Sequence, residues 1–130
     1  MNKFKVVQEN ILDEQTVDSL LVSALEGGSR SWATIEGYVD RKGDKAKGCK
    51  YLSDYVLKGS GLVISNDMEE TTTSPDYRKT IVNRDTVGQA LQCMANQEPR
   101  AFQDIVNDNA DAITGDILLQ ICVMEKVVYA

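Results

Sequence analysis

The sequence predicts an α+β domain: a small antiparallel sheet of three to five strands with helices packed on one face. Three observations carry this. Apolar residues recur at helical spacing near the N-terminus. The middle of the chain holds a segment that alternates with a period of two. The last third returns to helical patterning. With 130 residues, 42% hydrophobic and 26% charged, the chain has the length and composition of one globular domain, residues 1–130.

The elements follow in order. Phe4 to Val7 suits a short strand or an extended arm. Asp13 is a candidate N-cap, and Val17, Leu20, Leu21, Ala24 and Leu25 then fall on one helical face. Gly27-Gly28 should end this helix through a left-handed cap. From Trp32 to Val39, small and aliphatic residues (Ala33, Ile35, Gly37, Val39) alternate with aromatic and polar ones (Trp32, Thr34, Glu36, Tyr38), which reads as a strand. Residues 41–50, RKGDKAKGCK, lack apolar periodicity and read as a mobile hairpin loop. Tyr51 to Leu57 is ambiguous between strand and helical turn. Leu62-Val63-Ile64 reads as a buried strand, residues 65–76 as a loop and Tyr77 to Val82 as a further strand.

Asn83 or Asp85 can cap a helix with Val87, Ala90, Leu91 and Met94 on its apolar face. Pro99 suits the first turn of a short helix carrying Phe102, Ile105 and Val106. Asp111 is the candidate cap of the last helix. Ile113, Ile117, Leu118, Ile121 and either Cys122 or Val123 are expected to face inward. Val127 to Tyr129 reads as a terminal strand or packed tail.

Composition excludes several function classes. Fourteen Lys and Arg stand against 20 Asp and Glu, for a net charge of −6. Direct binding of duplex DNA through a generic basic surface is not expected. There is no histidine, so neither an imidazole base nor a His-ligated metal is available. Cys49, Cys93 and Cys122 are far apart in sequence and read as free thiols of a reducing compartment. The N-terminus lacks the pattern of a secretory signal, and no apolar run suits a membrane span. No metal or cofactor site and no enzymatic constellation is expected: Ser–His–Asp and Cys–His sets are impossible. Asn107, Asn109 and Asp111 resemble the start of a calcium loop, but Ala112 and Leu118 stand where glycine and glutamate are required.

Two groups of residues are candidates for binding. Arg41, Lys42, Lys45, Lys47 and Lys50 against Asp44 give residues 41–50 a charge of +4 inside an acidic chain. Together with Arg30, Trp32 and Tyr38 they combine cations and aromatics suited to an anion or an interface. The second group is polar. If the helix ending at Gly27-Gly28 meets the start of the last helix, then Glu26, Gly27, Gly28, Asp111, Asp116 and Gln120 should form one cluster, as a structural network or as a ligand site. Residues 98–125 hold six carboxylates against Arg100 alone, an acidic face able to imitate a phosphate row.

Residues 21–33, LVSALEGGSRSWA, and the closing DAITGDILLQICVMEKVVYA resemble a family of small phage and prophage proteins. That pattern is a helix ending in EGG, two residues, an aromatic and Trp, then DAxxAD, a Gln four residues on and a Val/Ile-Tyr-Gly end. Glu26, Gly27, Gly28, Trp32, Asp111, Ala112, Asp116, Gln120, Val128 and Tyr129 match; Ser31, Gly115 and Ala130 depart from it. The resemblance implies a phage protein in the host cell cytoplasm and no catalytic mechanism. The expectation is a non-enzymatic inhibitor of a host defence protein or complex, acting through protein–protein contact as anti-CRISPR proteins do. The alternatives are an oligomeric sponge for a nucleotide signal and a structural or accessory virion protein. A homo-oligomer is compatible with the aromatics and the β-rich end of the chain.

Overall fold

A computed structural model describes residues 3–4, 9–66 and 79–127. Six α-helices and three strands are present among them: α1 (Glu14–Ser23), β1 (Ala33–Tyr38), α2 (Arg41–Ala46), α3 (Leu52–Leu57), β2 (Leu62–Asn66), β3 (Lys79–Val82), α4 (Arg84–Gln97), α5 (Pro99–Val106) and α6 (Ala112–Met124). The sheet is antiparallel with order β1-β2-β3, so the α+β expectation holds. The candidate strand at 4–7 (apart from Phe4, which is exposed), residues 67–76 of the expected loop, residues 77–78 of the next strand and the tail beyond Val127 lie outside the described residues. Ser65 and Asn66, expected in the loop at 65–76, instead extend β2.

Register sets the two faces of the sheet. Ile35 pairs with Ile64 and that with Thr80; Tyr38 pairs with Leu62 and that with Val82. Leu62, Ile64 and Val82 are fully buried. This is the helix-covered face: Thr80 Oγ1 donates to the Val123 carbonyl of α6, and the Tyr38 ring meets Tyr55 of α3 edge-on at 4.6 Å. The opposite face carries Thr34, Val63, Lys79 and the half-exposed Ile81. The period-two reading of residues 32–39 fails at one place. A bulge between Ile35 and Gly37 absorbs Glu36, so Tyr38 turns to the same face as Ile35.

The helices bury the stripes that their spacing dictates. Val17, Leu20 and Leu21 of α1 and Val87, Ala90 and Met94 of α4 are core residues. Asn83 caps α4, accepting from the Thr86 amide, and Asp111 caps α6, accepting from the Thr114 amide. In α6, Leu118, Leu119, Gln120, Ile121 and Cys122 are all buried. It packs on α1, α4, α5 and the sheet, so it is buried on more than one side. Ile113, expected inside, is exposed because it lies in the first turn, beyond those neighbours.

Two local readings are corrected and one open reading is settled. Residues 41–50 begin as a helix and not as a loop. Asp40 caps it by accepting from the Gly43 amide, and Asp44, fully buried, accepts from the amide and hydroxyl of Ser60 at 2.8 and 3.0 Å. Polar anchoring therefore replaces the missing apolar stripe. Residues 52–57 resolve to α3, because Asp54 accepts from the amides of Lys50 and Tyr51 before the first turn. Finally, α1 ends in a π-type turn, Ala24–Gly28, without a left-handed cap. Gly28 serves close approach instead: a Cβ there would lie 3.3 Å from the Ala112 carbonyl oxygen. At Gly115 it would lie 2.7 Å from that of Leu20. Small residues thus let α6 lie against α1 and the turn.

Candidate functional site

The turn between α1 and β1 is held by a side-chain hydrogen-bond network from α6. Asp116, one turn into α6, reaches back to it. Its Oδ1 accepts from the Ser29 hydroxyl at 2.6 Å and from the Trp32 indole N–H at 2.8 Å; its Oδ2 accepts from the Gln120 amide at 2.8 Å. Ser29, Trp32 and Gln120 are buried. The three donors use both carboxylate oxygens, so burying these groups leaves none unsatisfied.

Beside this network the turn borders a cavity of about 370 Å³. Ala24, Leu25, Ala33, Ile35, Leu52, Ile64 and Leu119 give it apolar walls, and the exposed Glu26, Arg30 and Thr34 mark its open side. Among the described residues Glu26 and Arg30 have no ion pair or side-chain hydrogen bond. A larger groove of about 880 Å³ runs between the start of α1, α4 and α5, with Phe102 and Leu91 in its wall and the Arg84–Glu14 ion pair at its edge.

The polar group read from the sequence is therefore divided. Gly28, Asp116 and Gln120 meet at the turn. Glu26 sits on the exposed side of the same turn with Gly27, outside the hydrogen-bond network. Asp111 is occupied at the cap of α6, where the Thr114 amide and hydroxyl hold its carboxyl below the usual carboxylate range.

The cationic and aromatic group does not form one site. Trp32 is 1% exposed and is core, so it offers no stacking surface. Tyr38 is half-buried, and the Arg41 guanidinium lies 4.7 Å from its ring centroid. Lys42, Lys45 and Lys47 are exposed on and just after α2. Arg30 precedes β1 whereas α2 follows it, and the five residue steps from Ala33 to Tyr38 extend about 17 Å. Arg30 and the lysines thus lie at opposite ends of the strand.

Charge is only partly segregated: exposed Arg100 lies in α5 and exposed Lys126 follows Glu125. Asp104, Asp108 and Glu125 are exposed on or beside α5 and α6 and have no cationic partner among the described residues. The lysine-rich α2 lies at the Tyr38–Leu62 end of the sheet, whereas α6 ends at the other, where Asn66 Nδ2 contacts Met124.

Two of the thiols are poor nucleophiles: burial pushes Cys122 up to about 12 and also raises Cys49. Among the described residues no group of cysteine and carboxylate side chains is placed to hold a metal ion, and no helix is long and apolar enough to cross a membrane. Sequence reasoning missed Ser29 and Leu52. Ser29 lies 87 positions from the carboxylate it serves, and no local pattern signals such a contact. Comparison with family models, with curated proteins and with solved structures found no match.

Proposed function

We propose that this chain is a non-enzymatic binding protein of phage origin. It inhibits a host defence complex in the host cytoplasm by presenting an acidic helical surface to a basic channel. The observation that carries this reading is a partial segregation of charge. Asp104 and Asp108, on and just after α5, are exposed and make no ion pair among the described residues, while Lys42, Lys45 and Lys47 lie on and just after α2. Such a surface is attracted to a nucleic-acid channel over a distance set by ionic strength, and like-charged duplexes are repelled. The phage setting rests on the EGG…W and DA…D…Q resemblance.

The test is plaque formation by a targeted phage on cells carrying an active nucleic-acid-guided defence complex. Expression of the chain should restore plaques. The variant D104K/D108N should lose at least tenfold of that protection while keeping the native circular dichroism spectrum. Asp108 has a φ of +59°, which asparagine tolerates, and Asp104 is an exposed helical position. Absence of protection, or protection indifferent to the variant, refutes the acidic-surface reading.

A second reading, sequestration of a nucleotide signal, draws on the larger groove, where Arg84 and Phe102 line one cavity. Arg84 is already paired with Glu14 there, so a phosphate would have to displace that carboxylate. This makes it the weaker reading.

A further inference from the structure

We infer that the cavity at the α1–β1 turn is a binding site for a free apolar α-amino acid, a property separate from the acidic surface. Three features of the cavity select that chemistry. Its accessible apolar lining is aliphatic: Ala33, Ile35 and Leu52 are half-buried above the buried Leu25, Ile64 and Leu119. Its open side carries one cation, Arg30, and one anion, Glu26, four positions apart on the same turn. Among the described residues the two make no ion pair with each other or with any other side chain.

A free α-amino acid satisfies both charges at once, because its carboxylate and ammonium sit on the same carbon. Arg30 offers a planar fork for the carboxylate and Glu26 accepts from the ammonium. The side chain then enters the aliphatic cavity and gives up its hydration. A nucleotide fits less well, since its phosphates would bring at least two negative charges beside Glu26 with a single lining cation. A peptide end carries only one of the two charged groups on its terminal residue. The volume of about 370 Å³ falls at the lower end of the roughly 300–1,000 Å³ of small-ligand sites.

The Asp116 network gives the site its rigidity. Ser29 lies between Glu26 and Arg30 on the chain and lines the cavity itself, and its hydroxyl is tied to α6. The backbone that bears both charges is therefore fixed before a ligand arrives, which lowers the entropic cost of binding.

Isothermal titration of the full chain with L-leucine, L-isoleucine, L-methionine and L-phenylalanine tests the inference. At least one should bind at millimolar concentration or below. The amide of that amino acid lacks the carboxylate, and the corresponding deaminated acid lacks the ammonium. Each should bind about tenfold more weakly or worse, as loss of a hydrogen bond between charged groups implies. The variant R30Q should abolish discrimination against the amide, and E26Q discrimination against the deaminated acid. Both positions are exposed, so both variants should fold. No binding by any of the four amino acids, equal affinity for the amide and the acid, or affinity unchanged in R30Q and E26Q would each overturn the inference. None of these outcomes bears on protection by the acidic surface, which is read from plaques.

Discussion

Two charge-bearing segments of this protein are each held by one carboxylate, and they are held differently. The α1–β1 turn, with Glu26 and Arg30, is anchored by Asp116 from α6, more than 80 positions away in sequence. Its donors are three side chains, one of them the only tryptophan of the chain. The lysine-rich α2 is anchored by its own Asp44, 16 positions from Ser60, and one of the two donors is backbone. The first arrangement ties the ends of the fold together, so the turn is only as well placed as the packing of α6 on α1. The second is local and ties a short helix to the segment entering β2. A ligand pocket belongs with the first kind of anchor, because its walls come from the π-type turn after α1, β1, α3, β2 and α6 together.

Removing the anchors should expose this difference. Asp116→Ala removes the carboxylate that accepts from the Trp32 indole N–H, the Ser29 hydroxyl and the Gln120 amide. It should cost about 3 kcal/mol in urea unfolding, as buried donors left unpaired cost about 1–3 kcal/mol each and some will find water. The tryptophan emission should shift to the red in the native baseline. Unchanged stability and emission would show that the network is incidental.

Asp44→Ala deprives Ser60 of one acceptor for two donors and should cost about 1–2 kcal/mol. Its native tryptophan emission should match that of the unaltered chain, because the damage stays at the α2 end of the sheet. A red shift here would erase the distinction between the two anchors.

The smallest effect concerns acid stability near α2. The Tyr51 and Lys50 amides hold Asp54 below its ordinary value of 3.8. A carboxylate depressed on folding stabilises the native state above its unfolded pKa and loses that contribution as pH falls through the folded one. Asp54→Asn should therefore lower the midpoint of urea unfolding at neutral pH. The gap to the unaltered chain should narrow steadily below about pH 4. A gap that stays constant down to about pH 2 would remove the charge-based explanation.

Much of the fold was legible because local physics is repetitive. The 3.6-residue stripes of α1 and α4, the Asn83 and Asp111 caps and Pro99 at the start of α5 all express preferences that act within a turn or two. Reading failed where a non-local partner decided. Residues 41–50 look like a solvated loop until Asp44 is seen buried against Ser60. Tyr38 looks aligned with Glu36 until the bulge turns it. Trp32 looks like an interface aromatic until its indole N–H is seen on Asp116.

The candidate site shows the same division. Glu26, Arg30, Asp116 and Gln120 could each be singled out by residue type, yet the sequence offered no means of sorting them. Asp116 and Gln120 went to the interior of the turn, whereas Glu26 and Arg30 went to the open side of a cavity. By itself the sequence determined the class of fold, the N-caps of α4 and α6, the absence of imidazole chemistry and the acidic balance, all of which depend on composition or near neighbours. Only the tertiary structure decided which polar groups meet and which stay free. Hydrogen bonds and cavities depend on atoms a few ångströms apart in space, and the chain brings those atoms together from positions dozens of residues apart.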